Sequence, residues 1–141
     1  MPDDRYSDAA AAWPADWLRP RFSHPRAGAG LTTRAGGGRR APVDSLNLRD
    51  EVGDDPATVA ANRATLHAAI GRPSLLLQQV HGVAVCRLDD VADGSRPVAD
   101  ACVTTTTARA CEIQVADCLP VLFADRGGRA GAAAHAGWRG L

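Results

Sequence analysis

Three short segments of the chain each combine a potential metal ligand with small neighbouring residues. The segments are QVHG at 79–82, ADCLP at 116–120 and HAGWRG at 135–140. Their candidate ligands, His81, Cys118 and His135, all fall where a predicted strand ends and a turn begins. Strand ends commonly present functional side chains on a rigid scaffold. The sequence therefore indicates one site assembled from three distant segments.

Two imidazoles and one thiolate form a ligand set that suits zinc. Three protein ligands leave the fourth tetrahedral position open to water or substrate, which is typical of a catalytic zinc site. The ligands lie 37 and 17 positions apart, so they do not form a compact finger motif. Spacing alone leaves the ordinary alternatives open: each histidine can be a hydrogen-bonded structural residue, and an isolated strand cysteine is commonly a small core residue.

Copper is the less favoured metal for this ligand set. A blue-copper site uses two histidines and a cysteine with a weak axial ligand, often methionine. The sole methionine is Met1, and the chain has four histidines in all. A multicopper oxidase needs a larger set of histidines, so the composition disfavours that class of enzyme.

The same residues allow two interpretations without a catalytic metal. Cys118 and His135 could be the thiolate–imidazole pair of a cysteine hydrolase. Alternatively, the three ligands could hold a purely structural zinc, in which case chelation would unfold the protein.

The composition excludes several classes of partner. Sixteen basic residues, all arginine, balance sixteen acidic ones, so no basic field favours nucleic acid or an anionic membrane. No apolar run approaches the length of about 18 residues that spans a bilayer, and the N-terminus lacks a signal-peptide pattern. The four cysteines include no CxxC motif, which favours reduced thiols in the cytoplasm.

Local signals predict one helix and several strands. Asp55, Pro56 and Gly71 predict a helix over 56–70, with an N-cap, a proline in the first turn and a C-terminal stop. The apolar run 75–80 predicts a strand that pairs with 83–88, and 98–105 and 111–116 predict two more. DRGG at 125–128 predicts a hairpin between 121–124 and 129–135.

The domain organisation follows from composition. Residues 1–25, rich in alanine, proline and aspartate, are expected to form a loosely ordered leader. Residues 26–141 are expected to form the N-terminal part of a single catalytic domain, because HAGWRGL ends the chain at a glycine-rich turn that normally leads into another element.

Seven motifs occur in an order that resembles the laccase-domain family, also described as multicopper polyphenol oxidases and as purine nucleoside phosphorylases. They are TTRAGG, SLNL, VGDD, QQVHG, VADACVTT, VADCLPVLF and HAGWRGL, and they extend from about Leu31 to Leu141. The resemblance implies an α+β fold of mixed β-sheet layers with flanking helices. It also implies that His81, Cys118 and His135 bind the metal. Leu31 stands where the family usually has phenylalanine.

The resemblance implies phosphorolysis of adenosine, inosine and methylthioadenosine to a free base and a ribose 1-phosphate. Adenosine deamination is a further family activity, and some members are linked to peptidoglycan precursor editing, an amidase role. The expected partners are therefore a purine nucleoside and phosphate, and the sequence leaves the oligomeric state open. The family's chains are longer, which agrees with the expectation of a fragment.

Four further residues are candidates for substrate contacts. Arg34 in TTRAGG and Arg139 in GWRG could bind phosphate, because guanidinium groups offer bidentate contacts to phosphate oxygens, although Arg34 could instead be a surface charge on a loop. Asp117, next to Cys118, could orient a ligand histidine or act as acid or base, or it could simply cap the backbone. Asn47, with Ser45, could approach the substrate or serve a turn.

Overall fold

The computed structural model describes residues 13–35, 46–49 and 53–139, and Ser45 lies outside this part of the chain. The elements in chain order are helix α1 (Pro56–Ile70), strand β1 (Val85–Arg87), a 3₁₀ turn (Leu88–Asp90), β2 (Ala101–Thr104), β3 (Leu119–Ala124) and β4 (Gly131–Ala136). The expected α+β class is confirmed by this combination of a helix and a mixed sheet. No helix within the described ranges is long and apolar enough to cross a membrane.

The chain divides into two compact units. The first unit comprises Met1–Arg21 and Gly28–Gly71, and it contains α1. The second unit comprises Phe22–Ala27 and Arg72–Leu141, and it contains all four strands and the three predicted metal ligands.

Helix α1 begins and ends at the predicted residues. The Asp55 carboxylate accepts a hydrogen bond from the Thr58 N–H (3.1 Å), which satisfies one of the free donors at the helix start. Gly71 adopts a left-handed conformation (φ 71°) and its N–H donates to the His67 carbonyl (2.9 Å). Both helix ends are thus capped by residues that the sequence identifies.

The first unit has a small core around two tryptophans of the predicted leader. Trp13 and Trp17 are buried with Leu66 of α1, and their ring centroids lie 5.7 Å apart. The Trp13 indole donates a hydrogen bond to the Ala69 carbonyl (2.6 Å). These contacts attach the segment around Trp13 to the helix.

The sheet of the second unit has the strand order β1-β2-β4-β3. β1 and β2 are parallel, whereas β4 is antiparallel to both of its neighbours. Cys102 of β2 faces Ala133 of β4 in the register, and both are buried. The core of this unit consists of Leu75, Leu77, Leu88, Ala99, Cys102 and Ala133.

The predicted hairpin is confirmed as β3 and β4. The Asp125 N–H donates to the Ala130 carbonyl (2.9 Å), and Gly128 occupies a left-handed position (φ 68°) in the turn. The Asp125 carboxylate accepts bonds from the Gly127 N–H (3.2 Å) and from the Arg129 guanidinium (3.0 Å). Opposite residues of the hairpin are therefore fixed in one register, with Pro120 facing His135.

Two of the predicted strands are wrong. Residues 75–80 do not pair with 83–88: Gln78 makes an isolated bridge to Val98, the preceding Ser74 makes one to Ala110, and β1 pairs with β2 instead. Residues 111–116 form no strand either, and the Gln79 side chain bonds both the N–H (2.8 Å) and the carbonyl (2.7 Å) of Gln114. The apolar residues in these segments indicate burial, as Leu75 and Leu77 show, but burial does not require a strand ladder.

Asp89 ties the 3₁₀ turn to the end of β2. Its carboxylate accepts bonds from the hydroxyls of Thr104 (2.5 Å) and Thr105 (2.6 Å) and from the Thr105 N–H (2.9 Å). These bonds favour the charged form and hold the pKa of Asp89 well below its usual range.

We expect Asp89→Asn to lower the melting temperature at pH 7. A carboxyl whose folded-state pKa is depressed stabilises the fold above the unfolded-state pKa of about 4, and this contribution is lost as the pH falls. The difference from the wild type should therefore stay constant from pH 7 to about 5 and shrink as the pH falls below about 4, which thermal unfolding at several pH values measures. Asp90→Asn, at the exposed neighbouring carboxylate, is the control. A pH-independent difference would contradict the expectation.

Candidate metal centre

The structure brings the three predicted ligands together. One ligand atom from each of His81, Cys118 and His135 lies within 4.8 Å of the other two. Cys118 immediately precedes β3, and His135 lies in β4 on the same inward side as the buried Ala133. The hairpin register places the first residues of β3 beside the end of β4, which explains how two ligands 17 positions apart meet.

His81 lies in a loop and has an unusual backbone conformation. Its φ of 59° makes it the one non-glycine residue with positive φ among the described residues. This left-handed conformation is uncommon for residues with a Cβ and carries a cost in strain. Nε2 of His81 lies 3.7 Å from Sγ of Cys118, and its ring stands edge-on to that of His135 with centroids 4.9 Å apart.

Gly137 makes room for the His81 ring. A Cβ built on Gly137 would lie 2.5 Å from Cδ2 of His81, far inside van der Waals contact. The glycine of the HAGW motif is therefore required by close packing against a ligand, not by a left-handed backbone.

Asp100 contacts the segments of both clustered histidines. Its Oδ1 lies 2.8 Å from Nδ1 of His135, and its carboxylate also accepts bonds from the backbone N–H groups of Val80, His81 and Gly82. Burial raises the pKa of Asp100, but the bonds from His135 and the three N–H groups outweigh burial, so its pKa lies below the usual value. Because Nδ1 of His135 faces the Asp100 carboxylate, Nε2 is the ring nitrogen that would be available to a metal.

Asp100 is a site residue that was not predicted from the sequence. It precedes β2 within VADACVTT, where it is a single charged residue among β-prone apolar ones, and it is 2% exposed. A lone carboxylate within the β-prone run VADACVTT was the available signal, because such a group requires hydrogen-bond partners when it is buried.

Asp117 lies against the thiol rather than against a ligand histidine. Its Oδ1 is 3.7 Å from Sγ of Cys118, and its side chain is exposed. Burial, with the charges of Asp117 and Asp100, raises the pKa of the Cys118 thiol. A divalent cation has the opposite effect because it stabilises the thiolate. The donor set therefore fits a metal better than it fits a free thiolate.

Arg139 is exposed and stacks over Trp138, with its guanidinium carbon 4.6 Å from the ring centroid. Trp138 is itself 74% exposed. Both residues belong to the same unit as the three ligands and follow His135 within four positions. The Arg139 guanidinium thus lies four positions after His135 in the sequence.

Arg34 and Asn47 belong to the other compact unit. Arg34 is exposed, and its carbonyl accepts a bond from the Leu46 N–H (2.7 Å). The Asn47 amide donates to the Arg49 carbonyl and to Asp54, both at 3.1 Å, and its Oδ1 accepts from the Arg49 N–H. Asn47 therefore serves the local turn, and the substrate contacts of both residues stay predictions.

Comparison with known proteins identifies a family that the chain matches. The family described as multi-copper polyphenol oxidoreductase laccase matches residues 28–141. A Pseudomonas aeruginosa protein named purine nucleoside phosphorylase is 52% identical over 128 residues, which cover 89% of this chain and 51% of that protein. Purine nucleoside phosphorylase YfiH of Escherichia coli is 46% identical over 125 residues, which cover 86% and 51%. The chain spans about half the length of these curated relatives.

A solved structure shares the fold. The crystal structure of a Neisseria meningitidis protein, described under family model DUF152, matches with a TM-score of 0.84 and 43% identity. The match covers 89% of this chain and 52% of that one. Together with the His–Cys–His cluster, these comparisons indicate a metal-binding site.

Proposed function

Since the chain belongs to the family described as multi-copper polyphenol oxidoreductase laccase, we propose that it carries the metal centre of a zinc-dependent purine nucleoside phosphorylase. The proposed substrates are phosphate with adenosine, inosine or methylthioadenosine, and adenosine deamination is a proposed side activity. The observation that supports this most is the convergence of His81, Cys118 and His135 in a chain whose relatives bear the name purine nucleoside phosphorylase.

Zinc is favoured over copper by the donor set. Two imidazole nitrogens and a thiolate match common zinc ligands, and three of them leave one tetrahedral position open. A blue-copper site often has a methionine thioether as its weak axial ligand. The one methionine of the sequence is Met1, which lies outside the described residues, so none of the described residues offers such a thioether. A zinc ion held here would supply a Lewis acid at the open position.

The residues around the centre suit the two demands of phosphorolysis. A phosphate oxygen forms a bond to C1′ of the ribose while the bond between C1′ and the purine nitrogen breaks. The attacking phosphate needs a cationic partner, for which Arg139 is the candidate in the same unit, with Arg34 proposed as a second. The leaving base needs a proton or a hydrogen-bond donor, and Asp117 is the proposed acid or base because its exposed carboxyl adjoins Cys118.

The proposed activity is tested on the protein as its gene encodes it. Purified enzyme is incubated with adenosine, inosine and methylthioadenosine, each with and without phosphate, and the products are separated by chromatography. We expect free base and ribose 1-phosphate only when phosphate is present. Conversion of adenosine to inosine without phosphate would instead favour deamination as the main reaction. No phosphate-dependent release of base from any of the three would refute the phosphorylase proposal.

Removal of the metal separates a catalytic from a structural role. The core residues of the second unit do not include the three ligands, so we expect a strong chelator to leave the far-ultraviolet circular dichroism unchanged. The melting temperature should fall by several degrees, because an ion free at 100 times its Kd stabilises a fold by about 2.7 kcal/mol. Loss of the circular dichroism signal on chelation would support a structural zinc module instead.

A further inference from the structure

One buried carboxylate reaches both histidine segments of the centre. Oδ1 of Asp100 accepts from the His81 N–H (2.9 Å) and lies 2.8 Å from Nδ1 of His135. Oδ2 accepts from the N–H groups of Val80 (3.0 Å) and Gly82 (2.8 Å). Each oxygen thus has two partners, which fills the usual accepting capacity of a carboxylate.

We propose that Asp100 is the positioning residue of the metal centre, fixing the tautomer of His135 and the left-handed turn at His81 together. This inference rests on the proposed function, because it concerns the geometry of the same ligands. Asp100 does not itself bind the metal; it acts through the two histidines.

The turn at His81 is explained by this carboxylate. Three successive N–H groups can converge on one carboxylate only where the backbone bends sharply, and the bend here lies at His81 with its φ of 59°. Charge-assisted hydrogen bonds are stronger than neutral ones, so the three bonds together offset the strain of the left-handed backbone. The conformation that presents the His81 ring is therefore stabilised by Asp100.

Asp100 is itself held rigidly by main-chain bonds. Its N–H donates to the Ala84 carbonyl (3.1 Å), and its carbonyl accepts from the His135 N–H (2.7 Å). Both the backbone and the ring of His135 are therefore fixed to the same residue, and side chains of Asp100 and His135 are 3% and 5% exposed. A displacement of Asp100 moves both histidines at once.

The variant Asp100→Asn distinguishes this positioning role from a role in packing alone. The amide has nearly the same shape but only one accepting oxygen, so one pair of donors loses its acceptor. If the amide nitrogen faces His135, the ring must present a lone pair at Nδ1 and carry its proton on Nε2, the nitrogen meant for the metal. If it faces Val80 and Gly82 instead, the turn at His81 is weakened.

The test measures metal affinity and the spectrum of cobalt in wild type, Asp100→Asn and Asp89→Asn. We expect Asp100→Asn to weaken zinc binding about 10- to 100-fold, as loss of an outer-shell partner typically does. The ligand-field bands of bound Co²⁺ should also change. Asp89→Asn is the matched control, because Asp89 also accepts backbone and side-chain bonds in the same unit but contacts none of the ligands. Wild-type affinity and an unchanged cobalt spectrum in folded Asp100→Asn would overturn the proposal.

A second measurement uses only the wild-type protein, so it does not depend on whether a variant folds. Long-range ¹H–¹⁵N correlation spectra of the wild-type protein, with and without zinc, report which ring nitrogen of His135 carries the proton. We expect the Nδ1–H tautomer in both forms, and an Nε2–H tautomer in the metal-free form would overturn the proposal. Failure of wild-type protein to bind zinc at all would refute the proposed metal centre, while the tautomer measurement would still decide the role of Asp100.

Discussion

Cys118→Ala is expected to remove metal from the protein and to abolish its activity. The variant loses the thiolate, the one anionic donor among the three proposed ligands. Loss of an outer-shell partner alone costs about 10- to 100-fold in affinity, so loss of a direct ligand should cost about a hundredfold or more. Zinc purified with the protein should fall from about one equivalent to a small fraction of it, measured by elemental analysis and by competition with a chromogenic chelator.

The fold of the Cys118→Ala variant should survive in the absence of metal. Cys118 is only half-buried and lies outside the core of its unit, so the change leaves no large cavity. Cys86→Ala is the matched control, because Cys86 is another half-buried free thiol of the same unit and is not one of the clustered ligands. This control should retain both metal and activity.

The same variant distinguishes a ligand from a nucleophile. The thiol–imidazole contact in the structure joins Cys118 to His81 at 3.7 Å, rather than to His135 as the hydrolase alternative assumed. Activity lost with full zinc retained would favour the nucleophile of a cysteine hydrolase. Zinc and activity both retained would show that Cys118 serves neither role.

Gly137→Ala is expected to have the second largest effect on the centre. The new Cβ would lie 2.5 Å from Cδ2 of His81, so the ring must move or the β4 end must shift. Overpacking of this kind costs about 1–3 kcal/mol of stability. Because the displaced ring is a proposed ligand, we also expect zinc affinity to fall about 10- to 100-fold, as for other changes that misplace a ligand.

Gly82→Ala provides the matched control for this prediction. Gly82 also adjoins a ligand, but a Cβ there would meet Oδ2 of Asp100 and the Val80 side chain at 3.5 Å, which is ordinary contact. Its N–H, which donates to Asp100, is kept in alanine. Zinc titration should therefore place Gly82→Ala close to the wild type. Equal affinities for the two alanine variants would show that the space beside the His81 ring does not matter for the metal.

The parts of the fold that were predicted correctly depend on local signals. Asp55 and Gly71 act within one turn of α1, and Asp125 and Gly128 act within the hairpin turn. Each of these residues has a side-chain or backbone property that favours one local structure wherever it occurs. The predicted helix and hairpin therefore needed no knowledge of the rest of the chain.

The errors and omissions concern contacts between distant segments. The run 75–80 has the composition of a strand, but the bridging partner of its Gln78 is the distant Val98, and nothing local specifies that partner. Asp100 is a similar case, because its partners lie about 20 and 35 positions away. His81, Cys118 and His135 were singled out by their small-residue segments, but spacing alone left structural roles open, and the family resemblance was needed to favour a shared metal site.

The three proposed ligands lie far apart in the sequence, which bears on when an ion could bind during folding. His81 and His135 are 54 positions apart, and the pairing of β4 with β2 and β3, together with the bonds of Asp100 to both histidine segments, brings them close. If an ion bridged His81 and His135 before those strands formed, its binding free energy alone would have to offset the entropy lost in closing so long a loop. An ion at the proposed centre is therefore expected to bind after the sheet has formed. Such an ion would then slow unfolding more than it speeds folding.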